Sequence, residues 1–105
     1  MRVLAETSYY EEGDRYHLCV TREGVVDTRS TLDYEHIIWG MRAFYPFKDI
    51  EHIVLKKGFL GADMEIRYFD NKGKVRKIKY SIEKGDYEDI KNVLLQLVPK
   101  KVMVK

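Results

Sequence analysis

Cysteine is almost missing from this chain: Cys19 is the only one in 105 residues, so no intramolecular disulfide can form and a disulfide-stapled scaffold is excluded. A reducing compartment fits that usage. Proline is nearly as scarce, with Pro46 and Pro99 alone, which excludes polyproline segments and proline-rich linkers. No apolar run approaches the roughly 18 residues that span a bilayer, and the opening "MRVLAETSYYEEGD" turns polar too early for a signal peptide. A cytoplasmic protein is expected.

Signatures of chemistry are missing too. There is no HExxH, Gly-x-Ser-x-Gly, P-loop or Gly-x-Gly-x-x-Gly stretch, and His17, His36 and His52 show no ligand spacing for a metal. The sequence therefore predicts no enzyme, no cofactor and no metal site. Cys19, inside "YHLCVT", reads as a buried thiol on a strand, with a nucleophile paired in space to a histidine as the alternative.

What is present is a folded composition. At 45% apolar and 34% charged residues the chain has more aromatic and branched aliphatic content than disordered sequences do. Its length suits one core, so residues 1–105 are treated as a single domain. The net charge of +2 is unevenly spread. Residues 1–50 hold six Lys or Arg against nine Asp or Glu, a net of −3, and residues 51–105 hold thirteen against eight, a net of +5. That basic half can steer an anion but falls short of a nucleic-acid-binding signature.

Glycines punctuate the chain as hairpin turns do. "EEGD", "TREG", "KGFLG" and "DNKG" each separate runs rich in aromatic or β-branched residues. In "TREGV" and "DNKGK" the glycine follows polar turn residues, where a type I turn needs a left-handed residue. Between turns the side chains alternate. Met64, Ile66 and Tyr68 oppose Asp63, Glu65 and Arg67; Ile78, Tyr80 and Ile82 oppose Lys77, Lys79 and Ser81; Tyr16, Leu18 and Val20 oppose His17, Cys19 and Thr21. "RVLAETSYY", "VVDTR" and "DIEHIVLKK" read as further strands, with Ile53 and Leu55 inward. That makes six, and "WGMRAFYPFKDI" must supply the seventh.

The end of the chain changes period. In "GDYEDIKNVLLQLVP" the residues Tyr87, Ile90, Val93, Leu94, Leu97 and Val98 recur at helical spacing. Asp86 is placed to cap the first turn, Glu88 and Asp89 favour the positive end of the dipole, and Pro99 ends the run. An amphipathic helix over about residues 86–98 follows, packed on the sheet because it is marginal alone. Residues 99–105 read as a short tail.

Antiparallel hairpins closed by one helix resemble the pleckstrin-homology-like (PH-like) fold, and "YPFKDIEHIVLKKG" followed by "MEIRYFDNKGKVRKIKYSI" and "DYEDIKNVLLQLV" is similar to its prokaryotic members. The resemblance spans roughly residues 15–98 and rests on pattern. It implies an α+β, mainly β fold: a seven-stranded antiparallel bent sheet or partial barrel capped by a C-terminal helix. It also implies a platform for protein contacts. The family's phosphoinositide use depends on a basic first hairpin, whereas "YYEEGDRYH" sets Glu11, Glu12 and Asp14 against Arg15 alone, so phosphoinositide binding is not expected.

Two candidate surfaces remain. Within "WGMRAFYPFKDI" the second half reads as architecture, with Phe47 and Ile50 in the core and Pro46 at an edge or corner. Trp39, Met41, Phe44 and Tyr45 are the candidate interface for a protein partner or a second copy, with ordinary core as the other reading. Lys72, Lys74, Arg76, Lys77 and Lys79 gather in one hairpin; this is a solvated face that resists edge pairing or, alternatively, a weak site for anionic lipid or nucleic acid. "GFLG" at 58–61 matches the Gly-x-x-Gly spacing of nucleic-acid-clamping KH loops, but it carries Phe59 and Leu60 between strands and reads as a plain hairpin. Its tip could touch a partner or a membrane surface.

Overall fold

The turn after the first strand shows how local chemistry sets the architecture. Glu12 and Gly13 both have positive φ, +53° and +86°, the conformation of a two-residue type I′ turn whose twist matches that of its flanking strands. It joins β1 (Ala5–Glu11) to β2 (Asp14–Val20). The computed structural model describes residues 2–31 and 34–105. After β2 come β3 (Gly24–Thr28), α1 (Tyr34–Trp39), β4 (Met41–Pro46), β5 (Ile50–Lys57), β6 (Ala62–Phe69), β7 (Val75–Ile82), α2 (Tyr87–Leu97) and β8 (Val102–Val104). Two four-stranded sheets result, ordered β1-β2-β3-β4 and β7-β6-β5-β8.

The alternation read from the sequence is what closes the core. Leu18, Val20 and Val25 from the first sheet meet Ile53, Leu55, Met64, Ile66, Tyr80 and Ile82 from the second. Helix α2 inserts Tyr87, Ile90 and Leu94, with Val93, Leu97 and Val98 partly buried beside them. Phe47 and Ile50 are buried, and Pro46 ends β4, the last strand of its sheet, where its missing N–H leaves no ladder bond unmade.

Four expectations need correction. The described residues form eight strands rather than seven: residues 102–104 of the supposed tail make β8, which lies parallel to β5 with Ile53 opposite Val102, so the second sheet is not wholly antiparallel. Three residues are too few to show a period. Trp39 does not lie in an extended strand but ends α1, whose only buried side chain among those described is Ile37. Ile37 covers Cys19 and Val26 on the outer face of the first sheet, with Val3 and Met41 packed alongside. Asp86 makes no capping bond with its side chain, because a 3-10 turn over Lys84–Asp86 already holds it in helical backbone, φ −95° and ψ −8°.

The fourth concerns Gly24. Among the described residues only Gly13 and Gly73 are glycines with positive φ, so "DNKG" turns as expected and "TREG" does not. Thr21 closes that second turn instead: its hydroxyl accepts from the backbone N–H groups of Glu23 and Gly24 at 3.2 Å each and donates to the Gly24 carbonyl at 3.1 Å. Gly24 is required for space. A Cβ there would stand 2.2 Å from the Tyr45 carbonyl oxygen and 2.8 Å from the Pro46 Cα.

Gly24→Ala should therefore force β3 and β4 apart and destabilise by roughly 1–3 kcal/mol or more. Gly85→Ala, where nothing lies within 4 Å of the new methyl, should stay within about 0.5 kcal/mol of wild type. Urea denaturation of the two variants checks this, and equal midpoints would refute the steric account.

Candidate functional site

Strand alternation divides the proposed interface. Trp39, at the end of α1, is 77% exposed. Phe44 sits opposite Val26, on the face that α1 covers, and is 36% exposed; Ile38 is 38% exposed. Met41 is half-buried against Cys19, Val26 and Ile37. Tyr45, one residue beyond Phe44, points the other way, opposite Val25. It is buried in the main core, with its hydroxyl 2.9 Å from that of Tyr80. Trp39 and Phe44 thus remain on the surface with Met41 at its base, and Tyr45 leaves it.

Tyr45 leads to a cluster that sequence reasoning missed. Asp27, on β3, is 5% exposed. Tyr9 of β1 donates its hydroxyl to both carboxylate oxygens, at 2.6 and 2.7 Å, and Tyr80 of β7 donates to one at 3.0 Å. A register shift between Asp27 and Thr28 leaves Arg42 as the extra residue on β4, and such a bulge re-aims a side chain. The Arg42 guanidinium lies 4.2 Å from the Tyr16 ring centre, donates to the Tyr9 hydroxyl at 3.3 Å and pairs with Glu11 at 3.0 Å. The available signal was a lone Asp in an otherwise apolar strand, "GVVDT", in a chain with eight tyrosines.

The chemistry of this cluster is that of a satisfied network. Burial, then the bond to Asp27, pushes the Tyr9 hydroxyl well above its ordinary value. Burial, then the Tyr45 bond, does the same to Tyr80. Burial raises Tyr45 although its bond to Tyr80 opposes the shift. Phenols held this firmly in their neutral form are poor proton donors near neutrality. Tyr9 and Tyr80 also line a shallow cleft of about 300 Å³ between β1 and β7.

Cys19 is fully buried, and burial followed by the Glu6 carboxylate pushes its thiol up to about 12, the reverse of what a nucleophile needs. Among the described residues no group of three His, Cys, Asp or Glu side chains is placed to hold a metal ion. No described helix is long and apolar enough to cross a membrane.

The lysine hairpin is largely matched by carboxylates of β6 and the turn. Arg76 pairs with Asp70 at 3.0 Å, Lys77 with Glu65 at 3.5 Å and Lys79 with Asp63 at 3.7 Å. Asp70 also accepts from the backbone N–H groups of Lys72 and Lys74 at 2.9 Å. The Lys74 bond and then Arg76 hold its carboxyl below the usual range. Of the five cations in this hairpin, the Lys72 and Lys74 side chains alone have no ion pair among the described residues. In the first hairpin, Arg15 donates to the Ser8 hydroxyl at 3.0 Å.

No protein-family model matches this chain, and no curated protein sequence does.

Two outcomes test the tyrosine network. A phenol whose folded value lies above its unfolded value of about 10 keeps its proton after the unfolded chain has lost it. The stabilisation is complete below pH 10 and disappears as pH rises beyond it. A spectrophotometric titration should show Tyr9, Tyr45 and Tyr80 ionising only as the protein unfolds. Asp27→Ala should strand two buried hydroxyls and destabilise by about 3 kcal/mol, whereas Tyr80→Phe should cost about 1 kcal/mol; denaturant midpoints showing no loss for Asp27→Ala would rule the network out as a structural pin.

Proposed function

We propose that this chain is a non-enzymatic PH-like module that contacts another protein, or a second copy of itself, through the outer surface built by α1 and β4. The observation that carries the reading is Trp39: the only tryptophan in the chain is 77% exposed beside exposed Ile38, on the helix that covers the sheet face bearing Phe44. Aromatic side chains in such positions are the usual anchors of protein interfaces. Four antiparallel strands in sequence, then three more, then a helix packed into the core support the PH-like reading, with α1 and β8 as additions to that pattern. The single buried cysteine supports a cytoplasmic setting.

The alternative, weak binding of anionic lipid or nucleic acid through Lys72, Lys74, Arg76, Lys77 and Lys79, is less favoured, since three of those five cations already face carboxylates within 4 Å. The acidic hairpin at Glu11, Glu12 and Asp14 argues in the same way against phosphoinositide recognition.

Trp39 is its own reporter. On self-association its emission should shift to the blue as concentration rises, in step with an increase in mass by sedimentation equilibrium, and a heterologous partner should produce the same shift. Trp39→Ala and Phe44→Ser should abolish the complex while changing stability by no more than about 0.5 kcal/mol. A strict monomer that captures no partner, or a complex indifferent to both substitutions, would sink the proposal.

A further inference from the structure

The hairpin joining β5 to β6 ends in two adjacent large apolar side chains that touch almost nothing: Phe59 is 89% exposed and Leu60 is 90% exposed. The tip is held in place from two sides. The Gly58 N–H donates to the Gly61 carbonyl at 2.7 Å and closes the loop. From the turn before α2, the Lys84 ammonium donates to the Phe59 carbonyl at 2.7 Å and lies 5.7 Å from the Phe59 ring centre. A second element of the fold therefore clamps the loop with its apolar pair facing outward.

We infer that this tip is an anchor for the surface of an acidic phospholipid bilayer, with Phe59 and Leu60 entering the interfacial layer and Lys56 and Lys84 meeting the headgroup phosphates. The shape selects the occupant. Two protruding side chains offer far less than the roughly 800 Å² per partner of a stable protein interface, whereas a bilayer interface accepts each inserted apolar side chain independently. Charge agrees. Lys56 and Lys84 have no carboxylate partner among the described residues, and Glu88, the partner of Lys57 at 3.6 Å, is also bound by Lys91 at 2.8 Å. Ammonium groups at the base of an apolar tip sit at the depth of lipid phosphates. Glu83 and Asp86 flank Lys84 and temper that charge, so the apolar pair supplies most of the binding and salt weakens it only in part. These residues are distinct from the α1–β4 surface and from the basic hairpin.

The test is co-sedimentation of the full chain with vesicles of phosphatidylcholine alone and of phosphatidylcholine with phosphatidylserine in equal parts. Wild type should bind the acidic vesicles preferentially and keep a measurable fraction bound at physiological salt. The double variant Phe59→Ser/Leu60→Ser should lose at least about tenfold in partition with unchanged thermal unfolding, and Lys56→Glu should lose several-fold. A Phe59→Trp variant in a Trp39→Phe background should show a blue shift in emission on acidic vesicles. The inference is overturned if wild type fails to sediment with acidic vesicles at low salt. It is equally overturned if the double variant binds as well as wild type, or if binding is lost on Lys74→Glu/Lys77→Glu/Lys79→Glu and not on changing the tip.

Discussion

A carboxylate taken out of water must be given hydrogen-bond donors or surrender its charge, and in this protein the donors for Asp27 come from both sheets. Tyr9 belongs to the same sheet as Asp27; Tyr80 belongs to the other. The two sheets must approach closely enough, at one corner, for both hydroxyls to reach one group. Other features serve that corner. Tyr45 completes the Tyr80 hydroxyl's bonding, the bulge at Arg42 brings a cation onto the outer side of Tyr9 and Tyr16, and β3 can lie against β4 because Gly24 has no side chain.

Legibility in the sequence followed the number of residues that repeat a pattern. Strands β6 and β7 have eight residues each, and in both the inward-facing rows stand where alternation places them. The stripe of α2 is equally plain. Helix α1 has six residues and β8 has three, so neither repeats long enough to be seen. "TREG" and "DNKG" look alike in their polar turn residues, yet the Thr21 hydroxyl closes the first, and its Gly24 answers to a tertiary neighbour, the Tyr45 carbonyl, that no local window contains. Asp27 was hidden for the same reason: its partners lie 18 and 53 residues away. For the candidate interface, alternation along β4 was enough to set Phe44 and Tyr45 on opposite faces once the strand's start was known, but α1 had concealed that start.

The outer surfaces of the two sheets are built by different rules. Asp63, Glu65, Lys77 and Lys79 all face outward, and the β6–β7 register sets Glu65 opposite Lys79 and Asp63 opposite Ser81, so the ion pairs Lys77–Glu65 and Lys79–Asp63 run diagonally across the ladder. Diagonal neighbours lie within reach of long side chains. Exposed pairs of this kind add little stability, but they leave this face hydrated, with the charges of these four side chains balanced. Apolar exposure is concentrated elsewhere, on α1 with β4 and at the β5–β6 tip.

Strand β8 has a consequence for how this molecule can meet a copy of itself. Without it, eight-residue β5 would end its sheet with a long row of unpaired backbone groups, the kind of edge onto which another chain adds a strand. With it, that edge is reduced to three residues, while β4 is interrupted by its bulge and by Pro46, and β7 is fringed with lysines. None offers a long, flat template for continued sheet growth. A copy meeting the molecule at any of these three edges is thus held by side chains rather than by a continued backbone ladder.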